Sequence, residues 1–329
     1  MRIAGERDKL PYDVIVMNNL GGGMSVHVDR MPLPGETVKG YDWKPNIDSG
    51  KGPNSCICMS RLGLRTAFLG IAGADAAGDR GERWMREAGV DTSALLRTAD
   101  WPTGQGIRII DSSGQNMIIC GESVSHALKE KDICSQLRRL APSEFFMTGF
   151  EISEKLTFLG LREASALGMR TVLNYSPVMS PLILPVPDTD YLIVNESEAA
   201  AIANEKDCRG QLPEQGKEIL CRIQMMTGCR NIIMTVGSAG GACLEESKFS
   251  FWKAPRVKVI DTTGAGDAFA SAMVFRLVRG DSLTDACRWA SVYASYTVTR
   301  VGTIPAYPDL EQVLASDVAQ QNHLEGKIR

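Results

Sequence analysis

Short apolar runs alternate along the chain with longer segments of mixed polarity. The runs are YDVIVM at 12–17, TAFLGIAG at 66–73, FFMTG at 145–149, RTVLNYS at 170–176, YLIVN at 191–195 and NIIMTVG at 231–237. Each is rich in branched and aromatic residues, the composition of a strand buried on both faces. Between them, segments 76–88, 153–168 and 213–227 are long enough for crossover helices. Strand, helix and strand in that order predict an α/β fold, with a three-layer core of mostly parallel sheet and helices on both faces.

Two regions break the alternation. IRIIDSSGQNMIIC at 107–120 places two β-rich runs around Asp111-Ser112-Ser113-Gly114, which is a hairpin pattern. Residues 24–47 hold Pro32, Pro34 and Gly35 between extended pieces and are too irregular for a helix. Together, about 24–47 and 104–122 are expected to form one small β subdomain on a single domain spanning 1–329. The polar tail from Asp317 to Arg329 is expected to fray.

Charge and composition narrow the class. Lys and Arg number 36 against 39 Asp and Glu, a formal net charge of −3, and no run of five basic residues occurs. This excludes a dedicated nucleic-acid binder, whose affinity rests on clustered cations at phosphates. With 44% hydrophobic and 23% charged residues, disordered and collagen-like classes are excluded as well. The nine cysteines form no CxxC pair, and His27, His126 and His323 have no partner at ligand spacing, so neither a disulfide framework nor a histidine-based metal site is suggested. The first ten residues lack the apolar stretch of a signal peptide, and no later stretch approaches 18 uninterrupted apolar residues. A reducing cytoplasm is the expected setting.

Chemistry concentrates in VIDTTGAGDAFASAMVFRLVRG at 259–280, where a glycine-rich turn runs into a helical pattern with Ala265, Ala268, Phe269 and Ala272 on one face. Gly264 and Gly266 let backbone N–H groups crowd at the helix start, where unpaired donors and the positive dipole end favour an anion such as phosphate. Asp267 in the first turn has two readings that these residues leave evenly balanced. One is an acid complementing the macrodipole, worth about 0.3–1 kcal/mol. The other is a general base beside a bound phosphoryl group. Spacing rules out two common nucleotide motifs: a P-loop fails because Lys51, in DSGKGPN, has Pro45 where the first glycine and Gly52 where the hydroxyl should be. NNLGGGMSV offers Gly21 and Gly23 but Val26 where a dinucleotide fingerprint needs its third glycine.

Five motifs in order then resemble the ribokinase-like (PfkB) carbohydrate kinases over nearly the whole chain. They are PGETVKG (34–40) with DSGKGPNSCICMSRLG (48–63), IAGADAAGD (71–79) with AGVDT (88–92), NESEAA (195–200), TVGSAGG (235–241) and DTTGAGDAF (261–269). The resemblance implies an ATP-dependent kinase acting on a primary hydroxyl of a small sugar or sugar-like substrate. In it Asp267 accepts the hydroxyl proton, while backbone donors from Thr263 through Gly264, Ala265 and Gly266 hold the transferring phosphoryl. Asn195 and Glu198 would stand near Mg²⁺ through waters; from the residues alone they read first as an N-cap with capping-box spacing. Thr235, Gly237 and Gly240 would contact ATP.

The resemblance also implies a monovalent-cation loop, with K⁺ as its ion, formed by Asp261 and Thr263 with carbonyls of Thr297, Arg300 and Gly302. Ala306 lacks the hydroxyl that many members carry there. On the acceptor side Gly50, Lys51, Asn54 and Glu151 match sugar-contact positions, with a surface loop as the plain reading of Lys51 and a solvated helix-start acid that of Glu151. Gly23 stands where ribokinases carry a sugar-gripping aspartate, so either Asn19 or a neighbour compensates or the acceptor differs from ribose. The alternatives are a nucleoside kinase of the same fold, with Tyr41, Trp43 and Trp101 as candidate base-stacking residues, and a sugar-sensing protein without catalysis. Subdomain strand edges of this family often pair between subunits, which implies a homodimer.

Overall fold

The computed structural model describes residues 10–45, 48–112, 116–121, 124–177, 183–205 and 215–321. Its main sheet has nine strands. In chain order they are β1 (Tyr12–Met17), β4 (Thr66–Gly73), β5 (Asp91–Thr98), β8 (Ser143–Gly149), β9 (Arg170–Asn174), β10 (Tyr191–Asn195), β11 (Asn231–Thr235), β12 (Gly241–Glu245) and β13 (Lys248–Trp252). They lie in the order β13-β12-β11-β10-β9-β8-β1-β4-β5, and only the β11–β12 and β12–β13 pairs are antiparallel. The other neighbours are parallel, as the alternating apolar runs require.

Both faces of this sheet are covered. In β1, Val14 and Val16 enter one core and Ile15 and Met17 the other, the period-two alternation of a strand buried on both sides. The first core packs under α1 (Lys51–Arg61), α7 (Ala265–Val278) and α8 (Leu283–Thr297), through residues such as Ile57, Met273 and Trp289. The second packs under α3 (Glu130–Leu140), α4 (Glu154–Ala166), α5 (Glu196–Ala203) and α6 (Gly216–Thr227), through Leu137, Leu156 and Leu220. Each such side chain contributes about 1.5–3 kcal/mol on burial. Helix α2 (Ala76–Glu87) lies over β4 and β5, its start fixed by Asp75, whose carboxylate accepts the Gly78 N–H at 2.9 Å. Helix α7 is buried all round from Asp267 to Val278, so its apolar face at 265–272 is only part of a wholly enclosed helix.

A second sheet holds four strands in the order β3-β2-β6-β7: β2 (Gly21–Val28), β3 (Gly40–Pro45), β6 (Gly104–Ile110) and β7 (Asn116–Cys120). The hairpin of 107–120 is present as antiparallel β6 and β7, and the irregular stretch after residue 24 belongs to β2 and β3. Residues 46, 47, 113–115, 122 and 123 of the expected subdomain lie outside the described residues. The tail departs from expectation. Instead of fraying at Asp317, the chain forms α9 (Leu310–Leu314) and α10 (Asp317–Gln321), because Val313 and Ala319 are apolar enough to dock on the first core. Residues 322–329 lie outside the described residues. No helix among the described residues is long and apolar enough to cross a membrane.

Candidate active site

The glycine-rich turn before α7 meets a cavity of about 410 Å³ between the two sheets. Gly264 is the N-cap, with φ of 76°, a left-handed conformation that favours glycine. A Cβ there would sit 2.5 Å from the Tyr307 hydroxyl, which itself donates to the Gly264 carbonyl at 3.3 Å. Gly266 differs. Its φ is ordinary and nothing lies within 4 Å of where a Cβ would stand, so the fold does not require glycine, whereas an open cradle does. Of the expected donors, Thr263 N–H is engaged by Asp261 Oδ1 at 2.9 Å and Ala265 N–H by the Thr262 carbonyl at 3.2 Å. The N–H groups of Gly264 and Gly266 have no bonded acceptor among the described residues. They are the ones available to an anion.

Asp267 follows, 4% exposed. Its Oδ2 accepts the Asn54 side-chain amide at 3.3 Å, while Oδ1 is buried without a hydrogen-bond partner and lies 3.8 Å from Lys51 Nζ. Burial pushes its carboxyl up from the ordinary range, against the pull of Lys51. The Lys51 ammonium is held above its usual value, first by Asp267. Lys51 opens helix α1 after Gly50, whose φ is 88°, and its backbone N–H donates to Glu151 Oε2 at 3.0 Å. Burial raises the Glu151 carboxyl to about 7. Asn54 also donates to Asp48 Oδ1 at 3.0 Å, so its amide joins two carboxylates.

Gly50, Lys51, Asn54, Glu151, Thr263, Gly264 and Asp267 therefore line one cavity, and Lys51, its side chain 33% exposed, and the half-buried Glu151 both belong to that lining. The wall opposite is backbone-rich, with Gly23 beside Asn19, Gly21 and Gly22.

A second group lies outside that lining. Asn195 and Glu198 make a complete capping box on α5: Asn195 Oδ1 accepts from Ser197 and Glu198 N–H at 2.9 and 2.8 Å, and Glu198 Oε2 accepts from Asn195 N–H at 2.7 Å. Burial raises the Glu198 carboxyl to about 7. Thr235 stands beside Asn195 across the sheet, and Gly237 and Gly240 form the turn that follows. Asp261 joins two loops, Oδ1 accepting from Thr263 N–H and Oγ1 and Oδ2 from Gly302 N–H at 2.9 Å. Burial opposes its charge, yet these bonds hold its carboxyl below the usual value. The Thr297 carbonyl accepts the Arg300 N–H at 3.1 Å in the turn after α8.

With this geometry in view, similarity to known proteins is decisive. The family model described as pfkB family carbohydrate kinase matches residues 47–310. The chain belongs to the pfkB carbohydrate kinase family. It is 30% identical to a ribokinase of Dictyostelium discoideum, covering 88% of this chain and 95% of that one. It is 27% identical to a ribokinase of Staphylococcus aureus, covering 91% and 98%. Among solved structures, Arabidopsis thaliana ribokinase complexed with ribose and ATP superposes with a TM-score of 0.77 at 24% identity, covering 93% of this chain and 98% of that one. Giardia lamblia ribokinase superposes with 0.83 at 23%, covering 95% and 99%.

The kinase carries three groups at this site that sequence motifs did not single out, Asp48 and Arg108 in the cavity lining and Tyr307 behind the turn. Asp48 orients Asn54 and the Gly50 N–H, which it accepts at 2.9 Å; its place beside the glycine pair was the available signal. Tyr307 backs Gly264 from a distant loop and gave none. Arg108 enters from β6, donates from Nη1 to Thr263 Oγ1 and lies 3.5 Å from Asp261 Oδ2. Its only mark was a lone cation inside an apolar run.

Proposed function

We propose that this carbohydrate kinase transfers the γ-phosphoryl group of ATP to a primary hydroxyl of a small sugar or sugar-like acceptor held in the cavity. The observation that carries the reading is Asp267 Oδ1: a buried carboxylate oxygen without a hydrogen-bond partner, one residue after the open cradle of Gly266. As the acceptor oxygen bonds to the γ-phosphorus, its proton passes to Oδ1 while the bond from phosphorus to the β–γ bridging oxygen breaks and ADP departs. Such a transition state is loose, so the base needs position more than strength, and Asn54 supplies position by holding Oδ2. The Gly264 and Gly266 amides and the start of α7 would meet the phosphoryl oxygens, with Lys51 adding charge.

Mg²⁺ suits Asn195 and Glu198 through bridging waters, because a nearby cation would return the buried Glu198 carboxyl to its ionised form. When bound, it neutralises phosphate charge. Thr235, Gly237 and Gly240, at the C-terminal end of β11, are read as nucleotide contacts. A monovalent cation such as K⁺ would take the carbonyls of the loops that Asp261 joins, since the Asp261 carboxylate already accepts N–H donors. Turnover higher in KCl than in tetramethylammonium chloride supports that assignment, and equal turnover removes it.

Asn19, which lines the cavity with Gly21–Gly23, is read as the replacement for the missing aspartate. The nucleoside reading is disfavoured, because no aromatic side chain lines the cavity among the described residues, and Tyr41, Trp43 and Trp101 are exposed. The second sheet is read as a lid that excludes water. By strand alternation and register, Ile107, Met117 and Ile119 share its other face, and all three are exposed. An apolar face of this kind, with β7 as an open edge, suits a homodimer. ADP release measured across pentoses, hexoses, keto-deoxy acids and nucleosides tests the activity: one sugar class should drive it. If no acceptor raises release while one sugar still raises the melting temperature, the chain is a sensor instead.

A further inference from the structure

Arg108 lines the same cavity as Asp267 and Lys51 and has no part in the reaction as written above. It pairs with Ser25 across β2 and β6, which places it on the face of the second sheet opposite exposed Ile107 and Ile119. The side chain is 11% exposed. One end is anchored: Nη1 donates to Thr263 Oγ1 and lies 3.5 Å from Asp261 Oδ2. The rest is not, for the Nε–H is buried and has no acceptor among the described residues. A guanidinium keeps its charge at every accessible pH, and a buried N–H of a charged group without an acceptor is costly. That cost is met when an anion occupies the site, because a guanidinium edge matches the oxygens of a phosphate or carboxylate.

We propose that Arg108 is an oxyanion-binding residue of the cavity, anchored by Nη1 on Thr263 and Asp261 and receiving a phosphoryl or carboxylate oxygen at Nε. The inference rests on the kinase reading and deepens it. Two sources carry this chemistry: the transferring phosphoryl group, which would lie close by at the Gly264 and Gly266 amides, and an acidic group on the acceptor. In either case Arg108 ties a strand of the second sheet to the turn that starts α7.

The test uses Arg108→Met, Arg108→Gln and Arg108→Lys in the full chain. Calorimetric titrations with ATP, ADP and inorganic tripolyphosphate are set beside kcat and KM for neutral and acidic acceptors. If the phosphoryl group is the source, Met and Gln variants lose about 10- to 100-fold in tripolyphosphate affinity or in kcat with every acceptor, and ADP affinity holds. If the acceptor is the source, KM rises by that factor for carboxylated or phosphorylated acceptors alone. The Lys variant recovers part of either loss. Variants that keep every constant within twofold of wild type, or that only melt earlier, overturn the proposal. Tripolyphosphate binding needs no turnover, so a wild-type chain that phosphorylates nothing would sink the kinase reading and leave this arm standing.

Discussion

Asp261 and Asp267 begin and end one seven-residue turn, and the protein treats them in opposite ways. The Asp261 carboxylate meets donors on both oxygens: Thr263 and Gly302 hold its carboxyl low and make it a clasp between two loops. Asp267 keeps one oxygen unmet in a buried place that pushes its carboxyl up. The glycines between them divide likewise. Gly264 is demanded by a left-handed φ and by Tyr307, Gly266 by nothing but empty space. One end of the turn is built for stability, the other for a ligand and a proton.

The largest effect that would sharpen this contrast is at the acid itself. Asp267→Asn should lower kcat by about 10²–10⁴-fold while ATP affinity by calorimetry stays within about threefold. Near-wild-type turnover would erase the distinction between the two acids. The glycines come next. Gly266→Ala should lower kcat/KM by at least about tenfold without lowering the melting temperature, since alanine favours a helix. Gly264→Ala should instead cost about 1–3 kcal/mol of stability, read by denaturant unfolding. If both variants behave alike, the division fails.

A smaller signature lies in pH. Glu151 and Glu198 are both raised by burial from 4.5 to about 7. The folded chain therefore binds more protons than the unfolded chain between those values, so stability should fall as pH rises from about 4.5 to 7 and level off above. Glu151→Gln should flatten that slope in ligand-free melting curves buffered across this pH range; an unchanged slope would contradict the assignment. The smallest effect on chemistry belongs to the outer face of the second sheet. Ile119→Lys should convert a dimer into a monomer by light scattering and leave kcat within about threefold, whereas a wild-type monomer would remove the dimer reading.

The sequence pattern was most informative where both faces of a strand are buried. The runs at 12–17, 66–73 and 191–195 coincide with β1, β4 and β10 residue for residue. It was weaker at edges: β5 is partly exposed, and KFSFW of β13 carries polar residues, so neither forms a continuous apolar run. Helix α1 was hidden by Gly52 and Pro53, although a proline in a first turn forfeits no helical hydrogen bond. In the site, the family resemblance grouped Lys51, Glu151 and Asp267 but did not reveal that Asn54 bridges Asp48 and Asp267. Arg108 was out of reach, because Thr263 lies 155 positions away and no local pattern links them.

The central claim is that two amides of the turn and one oxygen of Asp267 converge on the terminal phosphorus of a nucleotide. A crystal structure of the chain with a non-hydrolysable ATP analogue and its best acceptor tests this directly. The γ-phosphoryl oxygens are expected at the Gly264 and Gly266 N–H groups, with Asp267 Oδ1 in hydrogen-bond contact with the acceptor hydroxyl. A γ-phosphoryl group bound elsewhere, or Asp267 turned away from the acceptor, would contradict the account.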